Sequence, residues 1–464
     1  MTQNWQKHVE NIQEKINSVS PSFCAAKWKQ VTIHLQNGQT HSCHHPNTHH
    51  IPLEEIKRNP TALHNTEFKK QQRKLMLEGV RPAECDYCWR VEDAGKLSDR
   101  AFKSADHWAH PYIDEIATTP WHADIDPSYV EISFSNVCNF KCSYCAPHIS
   151  SQWMEEIQRH GPYPTSTKFN NVQWLTNENK MPIPNKEDNP YVEAFWQWWP
   201  EMYTQLKTFR ITGGEPLLTK NTFKVLEYII DNPNQNLDLC INTNLCVPDE
   251  QIDRFIELLS KIQKANKIKS FVLFTSAEAH GKQSEYIRHG MNYGQWLSNL
   301  DRILANVPQV AVTIMSTYNI FSLFSYNDFL QDMLNLRTKY RHLSLVRHRP
   351  AVSIDIPYLR DPKHQAVYIM DPSMIKYVDQ QIEFMEKNKA KYANDMAGFN
   401  SVEIYKLQRI KKVIEEELAK DDPELSRLRR DFVIFVDEHD RRRGTNFLET
   451  FPDFKEVYER WKQL

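Results

Sequence analysis

Residues 129–147 constrain this chain more than any other stretch. A β-type run, Tyr129 to Phe134, empties into a loop that carries Cys138, Cys142 and Cys145. Three thiolates in one short loop can grip three corners of a cubane iron–sulfur cluster. The fourth iron then keeps an open coordination position, the feature that separates catalytic from structural metal sites. Zinc knuckles usually bring two cysteine pairs or added histidines, and none falls at pair spacing here. An iron–sulfur cluster is therefore favoured over the zinc and disulfide alternatives.

The 464-residue length predicts two or three domains, and the 40% hydrophobic content supports a real core. A net charge of -2 gives no basis for non-specific nucleic-acid binding. No apolar run approaches the ~18 residues that a membrane span needs. The opening Met-Thr-Gln-Asn-Trp-Gln-Lys lacks the charged-then-apolar layout of a signal peptide. A soluble cytoplasmic protein is expected, without membrane or nucleic-acid partners, and its nine cysteines read as thiolate ligands rather than disulfides. Seven fall into two groups. Cys240 and Cys246 lie on and just after an apolar strand and read as buried, inert thiols.

The second cysteine group lies near the N-terminus. Val9, Ile12 and Ile16 mark a lead-in helix, and Cys24 follows it. Val31 to Leu35 alternates as a strand does, and Asn37-Gly38 is a strong hairpin signal. The return strand carries Cys43, so the hairpin brings Cys24 and Cys43 near one end. Beyond a polar helical stretch, Cys85-Asp-Tyr-Cys88 supplies a CxxC pair. These four cysteines can close a four-thiolate site for zinc or for an iron–sulfur cluster. His41, His44, His45, His49 and His50 lie nearby, although clustered surface histidines are usually not ligands.

Residues 90–127 are polar and read as a linker with a helix. From Tyr129 onward, apolar runs recur near 129–134, 207–211, 237–242, 269–275, 309–315 and 351–356. Amphipathic helices separate most of them; Ile252, Phe255, Ile256, Leu259 and Ile262 form one such stripe. This alternation predicts an α/β fold of parallel βα units with right-handed crossovers. Functional residues then belong at the C-terminal strand ends. One such end carries Gly213-Gly214-Glu215-Pro216, where two glycines let backbone approach a ligand closely. Others carry Asn242-Thr-Asn244 and Thr275-Ser276. Phe195-Trp-Gln-Trp-Trp199, in the long connection 160–200, can meet a substrate or pack inward, and packing is favoured. Residues 373–464 read as long charged helices ending near Arg441-Arg-Arg443. That triplet can bind an anion, although a charge run is usually a solvated face.

The CxxxCxxC loop with Tyr144 before its last cysteine, joined to Gly-Gly-Glu-Pro after a strand, resembles the signature of the radical S-adenosylmethionine (SAM) enzymes. The resemblance implies a partial (β/α)6 TIM-like barrel. It implies a [4Fe–4S] cluster on Cys138, Cys142 and Cys145 whose open iron chelates SAM. In that family, reductive cleavage of SAM gives a 5′-deoxyadenosyl radical that takes hydrogen from a substrate. Gly213, Gly214, Glu215 and Pro216 would contact the SAM amino group, and Tyr144 would lie near the adenine. Ser276, with Asn244 as a second candidate, matches the ribose position, and Arg288 matches the carboxylate position. Ile314 or Met315 would face the adenine, though apolar strand residues more often serve as core.

Cys24, thirteen residues, Gly38, four residues and Cys43 resemble the opening of the SPASM/twitch auxiliary-cluster module. Four cysteines match its shorter twitch form, implying a second [4Fe–4S] cluster on Cys24, Cys43, Cys85 and Cys88. The module usually follows the barrel; here it precedes it. Residues 446–452 resemble the tail of twitch-containing relatives. The expected division is a twitch-like domain at 1–95, a linker at 96–127, a barrel at 128–372 and a helical extension at 373–464. Relatives with such modules often modify peptides, so the implied partners are SAM, a peptide or small-molecule substrate, and a low-potential donor such as flavodoxin or ferredoxin. A small metabolite or sugar is the alternative substrate. A non-catalytic electron-transfer or scaffold protein is the alternative class. No side chain is singled out as catalytic.

Overall fold

The alternating apolar runs become strands in a computed structural model that describes residues 3–347, 349–392, 395–420 and 422–464. In chain order these are β1 (Gln30–His34), β2 (Gln39–His41), β3 (His49–His50), β4 (Tyr129–Ser133) and β5 (Lys141–Cys142). They continue with β6 (Thr208–Thr212), β7 (Asn234–Asn242), β8 (Ile268–Ser276), β9 (Arg288–His289), β10 (Ala311–Met315) and β11 (Val352–Asp355). Strands at all six expected runs alternate with helices and pair mostly in parallel. That arrangement is consistent with the TIM-like fold that the resemblance implies.

The chain forms two compact units, each assembled from separated segments. The first comprises residues 1–136, 176–241 and 266–270. Its strands run in the order β7-β6-β4-β1-β2-β3, with β7, β6, β4 and β1 mutually parallel. Val130, Ile132, Phe209, Ile211, Leu239 and Ile241 are buried along them, as parallel strands covered on both faces require. The hairpin at Asn37-Gly38 forms, but it is not free-standing. β1 lies beside β4 in register, Ile33 opposite Ile132, so the cysteine-bearing hairpin extends the parallel ladder.

The polar stretch expected as a linker is instead core wall. Its helices Asp99–Ala105 and Ile113–Thr118 bury Ala101, Ala105, Ile113 and Ile116 with Trp108 against Val9, Ile12 and Ile16 of the first helix. The small alanines let the helices approach closely, and alanines contribute little to an apolar pattern in the sequence. The tryptophan-rich segment is helical (Pro190–Gln205) and packs inward, with Phe195, Trp198 and Trp199 buried.

The second unit comprises residues 137–175, 242–265 and 271–464. There β10 pairs in parallel with β11 and with the last residues of β8, while β5 and β9 form a short antiparallel ladder. The helix Asp249–Lys264 buries its expected stripe at Ile252, Phe255, Leu259 and Ile262. The C-terminal helices are part of this core. Phe432 packs against Phe321 and Phe447, and the buried Arg337 donates to Glu403 at 2.6 Å.

Gly38 tests how tightly the first unit is built. Its φ is +63°, and a Cβ there would collide with the Tyr191 ring, whose hydroxyl donates to the Ile51 carbonyl at 3.1 Å. Gly38→Ala should therefore destabilise the protein by about 2–4 kcal/mol, combining left-handed strain with overpacking. A chemical-denaturation midpoint close to wild type would contradict this packing.

Candidate functional site

The cysteine loop is irregular backbone, so its polar groups need partners that secondary structure does not supply. Side chains supply them. In the second unit, Ser150 Oγ donates to the Phe140 carbonyl at 2.8 Å and Trp153 Nε1 to the Cys142 carbonyl at 2.8 Å. Gln365 Nε2 donates to the Ser143 carbonyl at 3.1 Å, and Asn170 Nδ2 to the Cys145 carbonyl at 3.0 Å. The Cys138 amide donates to Ser151 Oγ at 3.2 Å. Gly290, at φ +108°, is required because a Cβ there would stand 2.6 Å from the Asn139 carbonyl. The three sulfurs are thus carried on a loop whose shape is fixed by its surroundings.

A buried polar cluster stands behind the loop. Arg288 donates through Nε to Glu278 at 2.8 Å and through Nη2 to the Tyr144 hydroxyl at 2.6 Å, and its Nη1 reaches Cys142 Sγ at 3.6 Å. The Tyr144 hydroxyl donates to Glu278 at 3.0 Å. Burial opposes the charge on Arg288, but its charge and hydrogen-bond interactions with Glu278, together with Tyr144 and Cys142, raise its pKa overall and keep the guanidinium a cation. Three of its five N–H donors are engaged here. Tyr144, Arg288 and Cys142, singled out separately in the sequence, therefore meet. Glu278, which joins them, was missed; its only signal is its position two residues beyond Ser276.

The arginine triplet departs in part from its expected roles. Arg441 is exposed, but the side chains of Arg442 and Arg443 are almost completely buried, at 1% and 0% exposure. Arg443 donates to the Lys141 carbonyl at 2.7 Å and to Glu156 at 3.1 Å, and stacks 4.6 Å from the Trp153 ring. Glu156 also pairs with Lys141 Nζ at 2.7 Å. Arg441 is solvated, while Arg442 and Arg443 hold the second unit together around the cysteine loop.

The other candidates stand at strand ends. Gly213–Pro216 follows β6 in the first unit, with Gly213 at φ +118° and its missing Cβ leaving room for Ser133 Oγ and the Ser135 carbonyl. The Gly214 amide donates to that carbonyl at 3.1 Å, and Glu215 Oε1 accepts from the Leu217 amide at 2.9 Å. In the second unit, Asn244 donates to Asn139 of the cysteine loop at 2.8 Å. Ser276 is half-buried at the end of β8, in register with Met315, while Ile314 is fully buried as core. Cys246 is buried and Cys240 half-buried, and burial pushes the Cys240 thiol up to about 12, which suits inert thiols.

Within the first unit, Cys24, Cys43, Cys85 and Cys88 line one cavity together with Lys27, Arg100 and Lys103. Cys24 precedes a short helix, Cys43 follows β2, and the CxxC pair occupies the turn opening the helix Asp86–Asp93. Burial pushes the Cys85 and Cys88 thiols up to about 12. Four thiolates on zinc or on a cubane carry net negative charge. The buried Lys27 and Arg100 at this cavity are each ion-paired, with Glu84 and Glu92.

Residues 132–328 match the family described as the Radical SAM superfamily. Residues 132–328 are a radical SAM domain. Over 123 residues the chain is 28% identical to the GTP 3',8-cyclase of Campylobacter lari, covering 26% of this chain and 29% of the relative. The chain thus spans under a third of the length of this curated relative. The family implies a [4Fe–4S] cluster and SAM, and the cysteine loop fits a cluster. It offers three thiols, an amide N–H on Cys138 Sγ at 3.4 Å from Phe140, and a guanidinium on Cys142 Sγ. N–H donors to sulfur are a principal lever on such clusters.

Arg443→Ala should cost about 2–4 kcal/mol, because it leaves the buried Glu156 carboxylate with Lys141 as its one cation and frees the Lys141 carbonyl. Burial opposes the Glu156 charge, but Arg443 and its hydrogen bonds hold its carboxyl down at about 2, against an ordinary 4.5. Its contribution in wild type is therefore complete above pH 4.5 and disappears as the pH falls towards 2. Denaturation midpoints measured across that range should fall more steeply for wild type than for the variant.

Proposed function

We propose that the chain is a radical SAM enzyme that cleaves SAM reductively and removes hydrogen from a substrate. The observation that carries this reading is the cysteine loop, three sulfurs on a backbone pinned by buried side chains with a guanidinium against Cys142. A [4Fe–4S] cluster on Cys138, Cys142 and Cys145, with SAM, supplies the 5′-deoxyadenosyl radical when bound. The chain's own residues hold and orient that group. Arg288 donates to Cys142 and fixes Tyr144, while Trp153, Gln365 and Arg443 keep the loop from rearranging. Gly213–Pro216 would contact the SAM amino group, with Ser276 or Asn244 at the ribose and Arg288 at the carboxylate. A flavodoxin or ferredoxin would provide the electron.

The N-terminal four-cysteine site is proposed to hold a second [4Fe–4S] cluster in a twitch-like module, relaying an electron or anchoring substrate. The convergence of four thiols beside buried cations supports it. A peptidyl substrate is the primary reading, by analogy with relatives that carry such modules. A small-molecule substrate is the second reading, favoured by the match to a protein named as a GTP cyclase.

Anaerobic reconstitution should give about eight irons per chain, falling to about four in both Cys142→Ser and Cys85→Ser. Reduction with SAM should yield 5′-deoxyadenosine in wild type and in Cys85→Ser but none in Cys142→Ser. Product from Cys142→Ser at the wild-type rate would contradict the assignment, and tightly bound zinc would replace the second cluster. Deuterium exchange into a candidate peptide in heavy water separates the two substrate readings.

A further inference from the structure

At the edge of the four-cysteine cavity, which His45 and Asp99 also line, two imidazoles converge on one carboxylate. Asp99 Oδ2 lies 2.7 Å from His45 Nε2 and 3.4 Å from His44 Nε2. The three potential ligand atoms all lie within 4.8 Å of one another. We propose that His44, His45 and Asp99 bind one divalent transition-metal ion of the zinc, nickel or cobalt kind, separate from the sulfur sites.

The donor set argues for this class of ion. Two imidazole nitrogens and one carboxylate oxygen suit borderline first-row metals, whereas magnesium and calcium prefer all-oxygen surroundings. The ligands are also held in place. His45 stacks on Tyr87 with ring centroids 3.8 Å apart, and Asp99 sits in the first turn of a helix capped by Ser98. One hydrogen-bonded imidazole would satisfy that oxygen. The second brings the two rings within 4.2 Å of each other and sets both Nε2 atoms on the same carboxylate oxygen.

Access and remaining coordination fit as well. The His44 side chain is 63% exposed, so an ion can enter from solvent while His45 and Asp99 hold it from within. Three protein ligands leave a further position for water or an exchangeable ligand. Hydrogen bonds from His44 and His45, with a smaller contribution from Lys103, hold the Asp99 carboxyl below the usual carboxylate range. No sulfur belongs to the triad, which makes its coordination distinguishable from that of the cysteine cavity.

The test uses protein whose thiol sites have been filled with iron and sulfide. Calorimetric titration with zinc should show one ion bound per chain. Zinc-edge X-ray absorption should show a nitrogen and oxygen shell near ~2.0 Å rather than sulfur near ~2.3 Å. His44→Ala, at an exposed position that folding tolerates, should weaken binding by about tenfold or more, and Asp99→Asn by a similar factor. A sulfur shell, wild-type affinity in His44→Ala, or no zinc uptake would each overturn the proposal. None of these readouts involves SAM cleavage, so the site and the enzymatic reading stand or fall separately.

Discussion

Arg443 and Glu156 form the ion pair on which the shape of the cysteine loop depends. Both side chains are essentially excluded from solvent. Burying two charges is unfavourable unless their hydrogen-bonding capacity is nearly filled. Here the guanidinium also donates to the Lys141 carbonyl and to the His439 ring, and the carboxylate also accepts from Lys141 and Tyr163. The pair joins residues 287 positions apart, so the last long helix and the first helix after the loop are fixed to each other. That is why residues 373–464 are not an appendage. Without them, the loop that carries the sulfurs would lose a wall.

A metal-binding loop faces two opposed demands. It must present soft, deprotonatable donors, yet it must not use its own backbone flexibility to bury them. Tying the carbonyls of residues 140–143 and 145 to side chains meets both demands, because little freedom is left except at the sulfurs. Burial raises the Cys142 thiol, and the Cys145 thiol is pushed up to about 12, first by burial and then by its neighbour Cys142. Ionisation therefore has to be driven by a bound cation, and nearby N–H donors then hold the charge.

The strands and the residues that announce chemistry were legible in the sequence because both are local. Period-two apolar runs gave β4, β6, β7, β8, β10 and β11, and the CxxxCxxC and Gly-Gly-Glu-Pro motifs lie within a few residues of strand ends. What supports the motifs was not legible. Glu156, Gln365 and Arg443 become relevant only after the chain folds back on itself over hundreds of residues, and a charged triplet reads as solvated until its partners are known. The segment 96–127 misled for a different reason. Its core contacts rest on Ala101, Ala105, Trp108, Ile113, Ile116 and Ile125, spread over two helices of seven and six residues and the loops after them, too short for a periodic stripe to stand out.

The N-terminal position of the four-cysteine segment is less anomalous once the strand ladder is considered. Hydrogen bonding along β1 and β4 is parallel and continuous, and beyond it the Leu35 amide donates to the Ser133 carbonyl at 2.9 Å. The same carbonyl belongs to the residue from which the chain departs towards Cys138. A parallel ladder depends on register and not on chain order, so a hairpin that arrives early in the sequence can still flank the strand feeding the cysteine loop. A Val31→Pro substitution would strip this ladder of an amide without touching a cysteine. Its effect should be greatest on the convergence of the four cysteines in the first unit, because the hairpin that β1 begins leads directly into Cys43.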